Sequence, residues 1–138
     1  MNIDSLEKEG YIKKLSVDKR KVKDALHIAK RDIKTAKSML QQDMDWAFSI
    51  AYNAMLQTLR ALMFSKGYRP SGSNQHISVV KFAELFLDRE TVIIFDRMRR
   101  KRHITIYDIA GTISERDAEH AVATAEILLK KVEKIVQE

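Results

Sequence analysis

The sequence predicts an all-α fold, an antiparallel up-and-down bundle of four to six helices, and three observations support this class. Only four glycines and one proline occur in 138 residues, whereas strand-rich folds need turn residues about every 8 to 12 positions. Apolar side chains recur three or four residues apart over long stretches, which is the spacing of one helix face. The length suits one core, since single domains typically hold about 100 to 150 residues. We therefore predict one helical domain over residues 1–138.

Three helices of different character are predicted in the first half of the chain. Residues 3–9 form a short helix that ends at Gly10, because glycine suits the left-handed conformation found at helix ends. A long helix over residues 17–42 has a continuous apolar stripe. The stripe comprises Val22, Leu26, Ala29, Ile33, Ala36 and Leu40. The helix over residues 46–66 begins after a capping Asp43 or Asp45 and is apolar nearly all round, which is typical of a central or interface helix.

The second half contains a loop and three more predicted helices. Residues 67–75 (GYRPSGSNQ) are the only long stretch with the composition of a loop. Helix four is predicted over residues 76–87, and helix five begins after Asp88 and continues into a basic block. The segment 103–111 (HITIYDIAG) is ambiguous, because its β-branched residues and terminal glycine indicate that the helix ends or distorts there. The last helix is predicted over residues 114–136, opened by a capping serine.

Composition excludes several classes of function. The chain has no cysteine, which excludes a disulfide scaffold, a thiolate zinc site and a cysteine nucleophile. The four histidines are scattered and form neither His-x-x-x-His nor Glu-x-x-His, so we predict no metal site and no cofactor. No stretch approaches the roughly 20 apolar residues of a membrane span, and the polar amino terminus does not resemble a signal peptide. We expect a cytoplasmic protein with no membrane partner.

Two basic segments account for the positive charge. The formal net charge is +6. Residues 13–37 contain ten Lys or Arg against three Asp, and residues 97–103 contain five Lys or Arg and no acid, so the rest of the chain is acidic. Basic patches attract polyanions, although a Lys-rich helix face is also typical of plain solvated surface.

The denser block, FDRMRRKRHITIYD, contains the residue types of phosphate chemistry. If helix five continues through it, Arg99, His103 and Tyr107 share one face, and Arg102 projects about 100° from His103. Cleavage of an RNA phosphodiester needs a base, an acid and a cation for the developing charge, and histidine and arginine can supply them. The alternative is structural: the basic residues favour the negative end of the helix dipole, and Tyr107 fills a gap in the core.

Three sequence blocks, in this order, resemble the HEPN family, small helical bundles that include ribonuclease toxins. The blocks are AYNAMLQTLRALMFSKGYRP, NQH near the start of helix four, and FDRMRRKRHITIYD. The likeness extends over about residues 17–136. It implies a homodimer in which an Arg, four to six further residues and a His of each subunit meet in a shared cleft and cut RNA without metal. It also implies a nucleotidyltransferase-type antitoxin as a partner for many members, while others bind nucleotides.

The resemblance can be placed on the basic block in two registers. Arg97 and His103 are separated by five residues and meet the family's spacing. In the common form a polar residue follows the arginine directly and the histidine comes four residues later, which aligns Arg102, His103 and Tyr107 instead. Because tyrosine has a pKa near 10, it is a poor base at neutral pH. Either His103 transfers the proton while Arg102 and Arg97 hold phosphate, or the site binds phosphate without cleaving it.

Five further residues are candidates for phosphate or nucleotide binding. Arg99 and Arg100 belong to the basic block itself. Asn53, in helix three, either orients the basic block across the bundle or makes a local structural hydrogen bond. His76 matches a family position but is also an ordinary polar residue near a helix start, and Arg69 lies in the loop. A third interpretation is a plain interaction scaffold that dimerises through helix three.

Overall fold

The computed structural model describes residues 1–137, with the side chains of all of these except Ile106 and Tyr107. This part of the chain forms six helices and two short strands. In chain order they are α1 (Ile3–Lys8), β1 (Ile12–Lys14), α2 (Lys19–Met39), α3 (Met44–Ser65), β2 (Tyr68–Pro70), α4 (Gln75–Ala83), α5 (Arg89–Tyr107) and α6 (Glu115–Gln137). The predicted all-α antiparallel up-and-down bundle is confirmed. Within the described residues, no helix combines the length and the apolar character that crossing a membrane requires.

Helix α3 lies at the centre of the bundle, as its apolar character predicts. It packs most extensively against α2 and α6, and also contacts α4, α5 and β2. Its largest fully buried side chains are Tyr52, Met55, Leu59, Leu62 and Met63. Burying a side chain of this size stabilises the fold by roughly 1.5 to 3 kcal/mol. Helix α3 therefore supplies more of the core than any other helix and fixes the positions of the helices around it.

Side-chain caps define where the helices begin. Asp18, Asp43, Asn74 and Asp88 each accept a hydrogen bond from a backbone N–H of the first turn, at 2.9 to 3.2 Å. Ser114 caps α6 in the same way, accepting from the amide of the third residue after it at 3.0 Å. These bonds satisfy N–H groups that have no partner inside the helix. The caps predicted at positions 43, 88 and 114 are confirmed.

The predicted bounds of two helices were too wide. Helix α2 spans Lys19–Met39 rather than residues 17–42, and α4 ends at Ala83 rather than at residue 87. After α4 the chain continues in tight turns, with the amide of Leu85 donating to the carbonyl of Phe82 at 3.0 Å. Residues 85–87 remain half-buried against the core. Their apolar periodicity therefore reflects burial in turns, which the spacing alone does not distinguish from helix.

The segment predicted as a loop, residues 67–75, contains the strand β2, so the prediction of a loop throughout was wrong. Strand β2 pairs antiparallel with β1, and the paired positions are Ile12 with Pro70, Lys13 with Arg69 and Lys14 with Tyr68. Each strand has only three residues, so neither shows the alternation that identifies strands in sequence. Gly67 and Gly72 flank β2 at φ values of +83° and +91°, which glycine adopts without strain. The small sheet ties the amino-terminal segment to the connection between α3 and α4.

Candidate functional site

An aromatic cluster lies where α3, α4 and α5 meet. A hydrogen bond of 2.8 Å joins the Tyr52 hydroxyl to Nδ1 of His76, and the two rings are nearly parallel with centroids 5.8 Å apart. Phe95 of α5 stacks on Tyr52 at 5.1 Å. Tyr52 is only 1% exposed, and a buried tyrosine requires a partner for its hydroxyl. The cluster therefore fixes the His76 ring at the edge of the core.

Arg102 of α5 joins this cluster through its guanidinium. Its Cζ atom lies 5.5 Å from the centroid of the Tyr52 ring, within the range of a cation–π contact. Among the described residues, its buried Nε has no hydrogen-bond partner and no carboxylate forms an ion pair with the side chain. Arg99, one turn earlier, is held by a 2.9 Å hydrogen bond from its Nε to Asp96. The cluster thus contains a positioned arginine whose charge is not neutralised by the part of the protein described.

Burial and positive charge keep His76 in its neutral form. Burial lowers the pKa of the imidazole, and the charges of Arg102, Arg99 and Arg60 lower it further. Burial also raises the pKa of the Tyr52 phenol far above its ordinary value, and Arg102 and Arg99 only partly oppose this. Positive potential disfavours a second cation and favours an anion. The site at neutral pH therefore combines neutral hydrogen-bonding groups with fixed cations, which suits an anionic ligand.

The basic block divides between different sides of α5. Helix α5 continues to Tyr107, so Arg99 and His103 lie one turn apart, and His103 is exposed. Arg97 lies about 140° around the helix axis from Arg102 and lines a surface groove between α5 and α6. The structure therefore places Arg97 outside the aromatic cluster. The Tyr107 side chain, predicted as part of the catalytic set, lies outside the described residues.

The other predicted site residues lie in three separate surroundings. The Asn53 amide donates to Oδ2 of the buried Asp32 at 2.7 Å, which is the local structural bond rather than a contact with the basic block. Arg100 is exposed, with its guanidinium 3.6 Å from a carboxylate one turn earlier. Arg69, on β2, lines a pocket on another side of α3 together with Arg60. Of the five accessory candidates, only His76 and Arg99 contribute to the cluster.

Tyr52 and Arg60 were not predicted as site residues from the sequence. Both lie on the otherwise apolar α3, and each carries a polar group that a core helix cannot leave without a partner. Arg60 is the only arginine of that helix, and lysine and arginine are rarely buried without a reason. Tyr52 could have been identified as an aromatic residue with a hydroxyl group on a core helix. Arg60 could have been identified as the single cation of that helix.

The fold and the cluster define a small helical bundle whose cationic site is assembled from facing helices. The family model for the HEPN domain matches residues 22–135, and the chain therefore belongs to the HEPN family. The resemblance found in the sequence is confirmed. No curated protein matches the chain at a significant level.

Two solved structures share this fold. The protein TT1696 from Thermus thermophilus is 20% identical with a TM-score of 0.63, and the match covers 82% of this chain and 96% of that one. ST0689, described as an archaeal HEPN homologue, is 17% identical with a TM-score of 0.63, and the match covers 83% of this chain and 97% of that one. Identities this low show the shared architecture alone.

Proposed function

We propose that this HEPN protein binds phosphate groups of RNA or of a nucleotide at the cluster of Arg102, Arg99, His76 and Tyr52. The proposal rests on one observation, the fixed position of the Arg102 side chain without a neutralising carboxylate in the part of the chain that the structure describes. Its guanidinium is positioned on a buried ring, and among the described residues it has no carboxylate partner. Arginine can hold phosphate through two parallel charge-assisted hydrogen bonds. A fixed and unneutralised arginine is the arrangement that phosphate recognition requires.

The neutral His76 and Tyr52 support the same ligand. In a neutral imidazole one ring nitrogen accepts a hydrogen bond and the other donates. When the Tyr52 hydroxyl donates to Nδ1, Nε2 carries the proton and is available as a donor. A phosphate oxygen near Arg102 is a suitable acceptor for it. Tyr52 therefore acts as a positioning residue that sets the tautomer and the orientation of His76.

A second candidate function is metal-independent cleavage of RNA at the same site. The observation that favours it is the lowered pKa of His76 beside Arg102 and Arg99. Cleavage needs the other tautomer, in which Nδ1 carries the proton and donates to the Tyr52 oxygen. Nε2 is then unprotonated and can take the proton of a 2′-hydroxyl, while the arginines stabilise charge developing on the phosphate. His103 follows Arg102 directly in sequence and is exposed, so it is the candidate acid or the alternative base.

Assembly and compartment are part of the proposal. We propose that the protein is a homodimer that pairs with a separately encoded nucleotidyltransferase-type antitoxin, and membership of the HEPN family supports both. We also propose that the protein acts in the cytoplasm. In a symmetric dimer both copies of α5 contribute to one cleft. Multi-angle light scattering at working concentration tests this assembly. A monomeric mass would contradict the dimer without affecting phosphate binding by one subunit.

Binding is tested by fluorescence anisotropy with a labelled ten-nucleotide RNA and with AMP as competitor. Arg102→Ala is expected to weaken binding at least about tenfold, because a charge-assisted contact is lost. The matched control is Arg89→Ala, which removes the same charge from an exposed position of the same helix, about 20 Å along its axis. Equal weakening by both variants would indicate nonspecific electrostatic attraction and would overturn the assignment of the site.

Cleavage is tested by incubating the protein with RNA in EDTA. If the protein is a ribonuclease, His76→Gln or His103→Ala abolishes the products while RNA binding persists. Binding without cleavage by the wild-type protein identifies the non-catalytic function instead. Circular dichroism of each variant confirms that it is folded.

A further inference from the structure

A second cationic pocket lies beside α3, and neither Tyr52 nor Arg102 is among the described residues that line it. It is an open pocket with a volume of about 510 Å³, lined mainly by residues of α2, α3 and the short strand β2. Pockets of roughly 300 to 1,000 Å³ are typical of small-molecule sites. Phe64 and Ile28 provide apolar walls, and Gln57 provides an amide. The pocket therefore combines apolar surface with hydrogen-bonding groups, as ligand sites generally do.

The charged residues of this pocket favour an anion. Lys21, Arg60 and Arg69 line it, and Asp24 is the one acidic side chain among its lining residues. Within the part of the chain that the structure describes, neither Arg60 nor Arg69 forms an ion pair with a carboxylate. Cations gathered around one cavity repel each other unless an anion lies between them. The lining thus carries uncompensated positive charge that a bound anion would neutralise.

Arg60 is held in place with one donor unused. Its Cζ atom lies 5.7 Å from the centroid of the Phe64 ring, which limits the orientations of the guanidinium. Its Nε is buried and, among the described residues, has no hydrogen-bond partner. A buried donor without an acceptor destabilises the fold, so such groups in native proteins call for an explanation. Because Nε is shielded from solvent, an anion in the pocket would be bound by the terminal guanidinium nitrogens of Arg60.

The small sheet brings a second arginine to the same cavity. Arg69 lies at the centre of β2, paired with Lys13 of β1. The turn before β2 is fixed by Gly67, whose carbonyl accepts from the amide of Leu15 at 2.9 Å. The pairing of β2 with β1, which is distant in sequence, therefore places Arg69 at the pocket that Arg60 also lines. Two arginines with apolar walls between them match a phosphate group joined to a less polar body.

We propose that this pocket binds the phosphate group of a nucleotide-sized ligand, with Arg60 and Arg69 as its phosphate ligands and Phe64 against the sugar or base. Its lining residues differ from those of the Arg102 cluster, although the Arg60 charge reaches His76, and the proposal does not depend on the function proposed for that cluster. The same phosphate chemistry is offered by a free mononucleotide and by the end of an RNA strand. Both sources are therefore included as arms of the test.

The test uses the full chain and records the Nε–H signals of its arginines by nitrogen-15 NMR during titration with inorganic phosphate and AMP. We expect a saturable shift of the Arg60 signal. Arg69→Ala, followed by the Arg60 signal, and Arg60→Lys, followed by the Arg69 signal, are each expected to raise the Kd for AMP at least about tenfold, because each removes a charge-assisted or bidentate contact. The control Arg116→Ala removes an exposed arginine of α6 and should change the Kd less than about twofold.

Two outcomes overturn the proposal. One is the absence of a saturable Arg60 shift up to about 10 mM phosphate or AMP, a concentration far above the range of specific sites. The other is equal weakening by Arg69→Ala and Arg116→Ala in folded protein. Competition by a ten-nucleotide RNA identifies strand phosphate as the source, whereas lack of competition identifies the free nucleotide, and both support the site. Because the Arg60 charge also acts on His76, the two proposals are separated by variants. Arg102→Ala should leave the Arg60 shift in place, and Arg69→Ala should leave RNA binding at Arg102 unchanged.

Discussion

The hydrogen bond between Asn53 and Asp32 connects α3 to α2, and its energy can be tested directly. The donor–acceptor distance is 2.7 Å, and Asp32 is only 7% exposed. The other partner of this carboxylate is Arg31, 3.1 Å away, whose side chain is 65% exposed. Asn53 is therefore the main interior partner of a buried charge. Its role is to hold two helices together rather than to contact a ligand.

The expected cost of Asn53→Leu is about 2 kcal/mol of unfolding free energy. Hydrogen bonds to charged groups contribute roughly 1.5 to 3 kcal/mol, and removing one partner leaves the desolvation penalty of the other. Because Arg31 remains beside Asp32, the cost falls short of that of an isolated buried charge. Replacing both residues with leucine removes the buried charge, so the double variant should lie within about 1 kcal/mol of the wild type.

Urea unfolding followed by circular dichroism, with the wild type, both single variants and the double variant, gives the coupling energy of this pair. We expect a coupling of about 2 kcal/mol and unchanged RNA or AMP binding by folded Asn53→Leu. A coupling below about 0.5 kcal/mol would refute the structural role, since that is the scatter of independent sites. Loss of binding at unchanged stability would instead place Asn53 in the binding site.

Three further predictions follow from the described contacts. Arg102→Gln should raise the His76 pKa toward 6.5, because it removes the charge that lowers this pKa most. NMR titration of the imidazole measures the change, and an unchanged pKa would contradict the proximity of Arg102 to His76. Stability should rise with pH from the lowered folded pKa of His76 up to 6.5, since the unfolded state binds more protons in that window, and His76→Gln should flatten this part of the urea-unfolding profile. Gly67→Ala should lower the free energy of unfolding by roughly 1 to 2 kcal/mol, because φ at this residue is +83° and other residues are strained in that conformation. An unaltered thermal unfolding temperature would contradict the left-handed conformation of this turn.

The bundle was predictable because its signals are local. The apolar stripe of α2 and the caps at Asp43, Asp88 and Ser114 fix each helix within a few residues. Burial of an apolar stripe and satisfaction of terminal N–H groups are both decided by neighbours in sequence. The family likeness was readable for a similar reason, since its blocks are contiguous.

The sites were less predictable because they depend on residues distant in sequence. The partner of His76 is Tyr52, 24 residues away, and the partner of Asn53 is Asp32, 21 residues away. Spacing within α5 predicted that its cations share faces, but not which face meets α3. The two-stranded sheet escaped detection because its strands, of three residues each, acquire their conformation only by pairing.

The pairing of β1 with β2 also has a consequence for the order of folding. Lys14 and Tyr68 are paired across 54 residues, whereas α2 and α3 are joined by residues 40–43 alone. Closing the longer loop in an unfolded chain costs about 2 kcal/mol more in conformational entropy than closing the shorter one. Once α2 and α3 have docked, the ends of the long loop are already close, so the strands should pair after the helices. Amide protons of β1 and β2 should then exchange through a local opening that leaves the helices intact, and the pocket around Arg69 would be the last part of the protein to assemble.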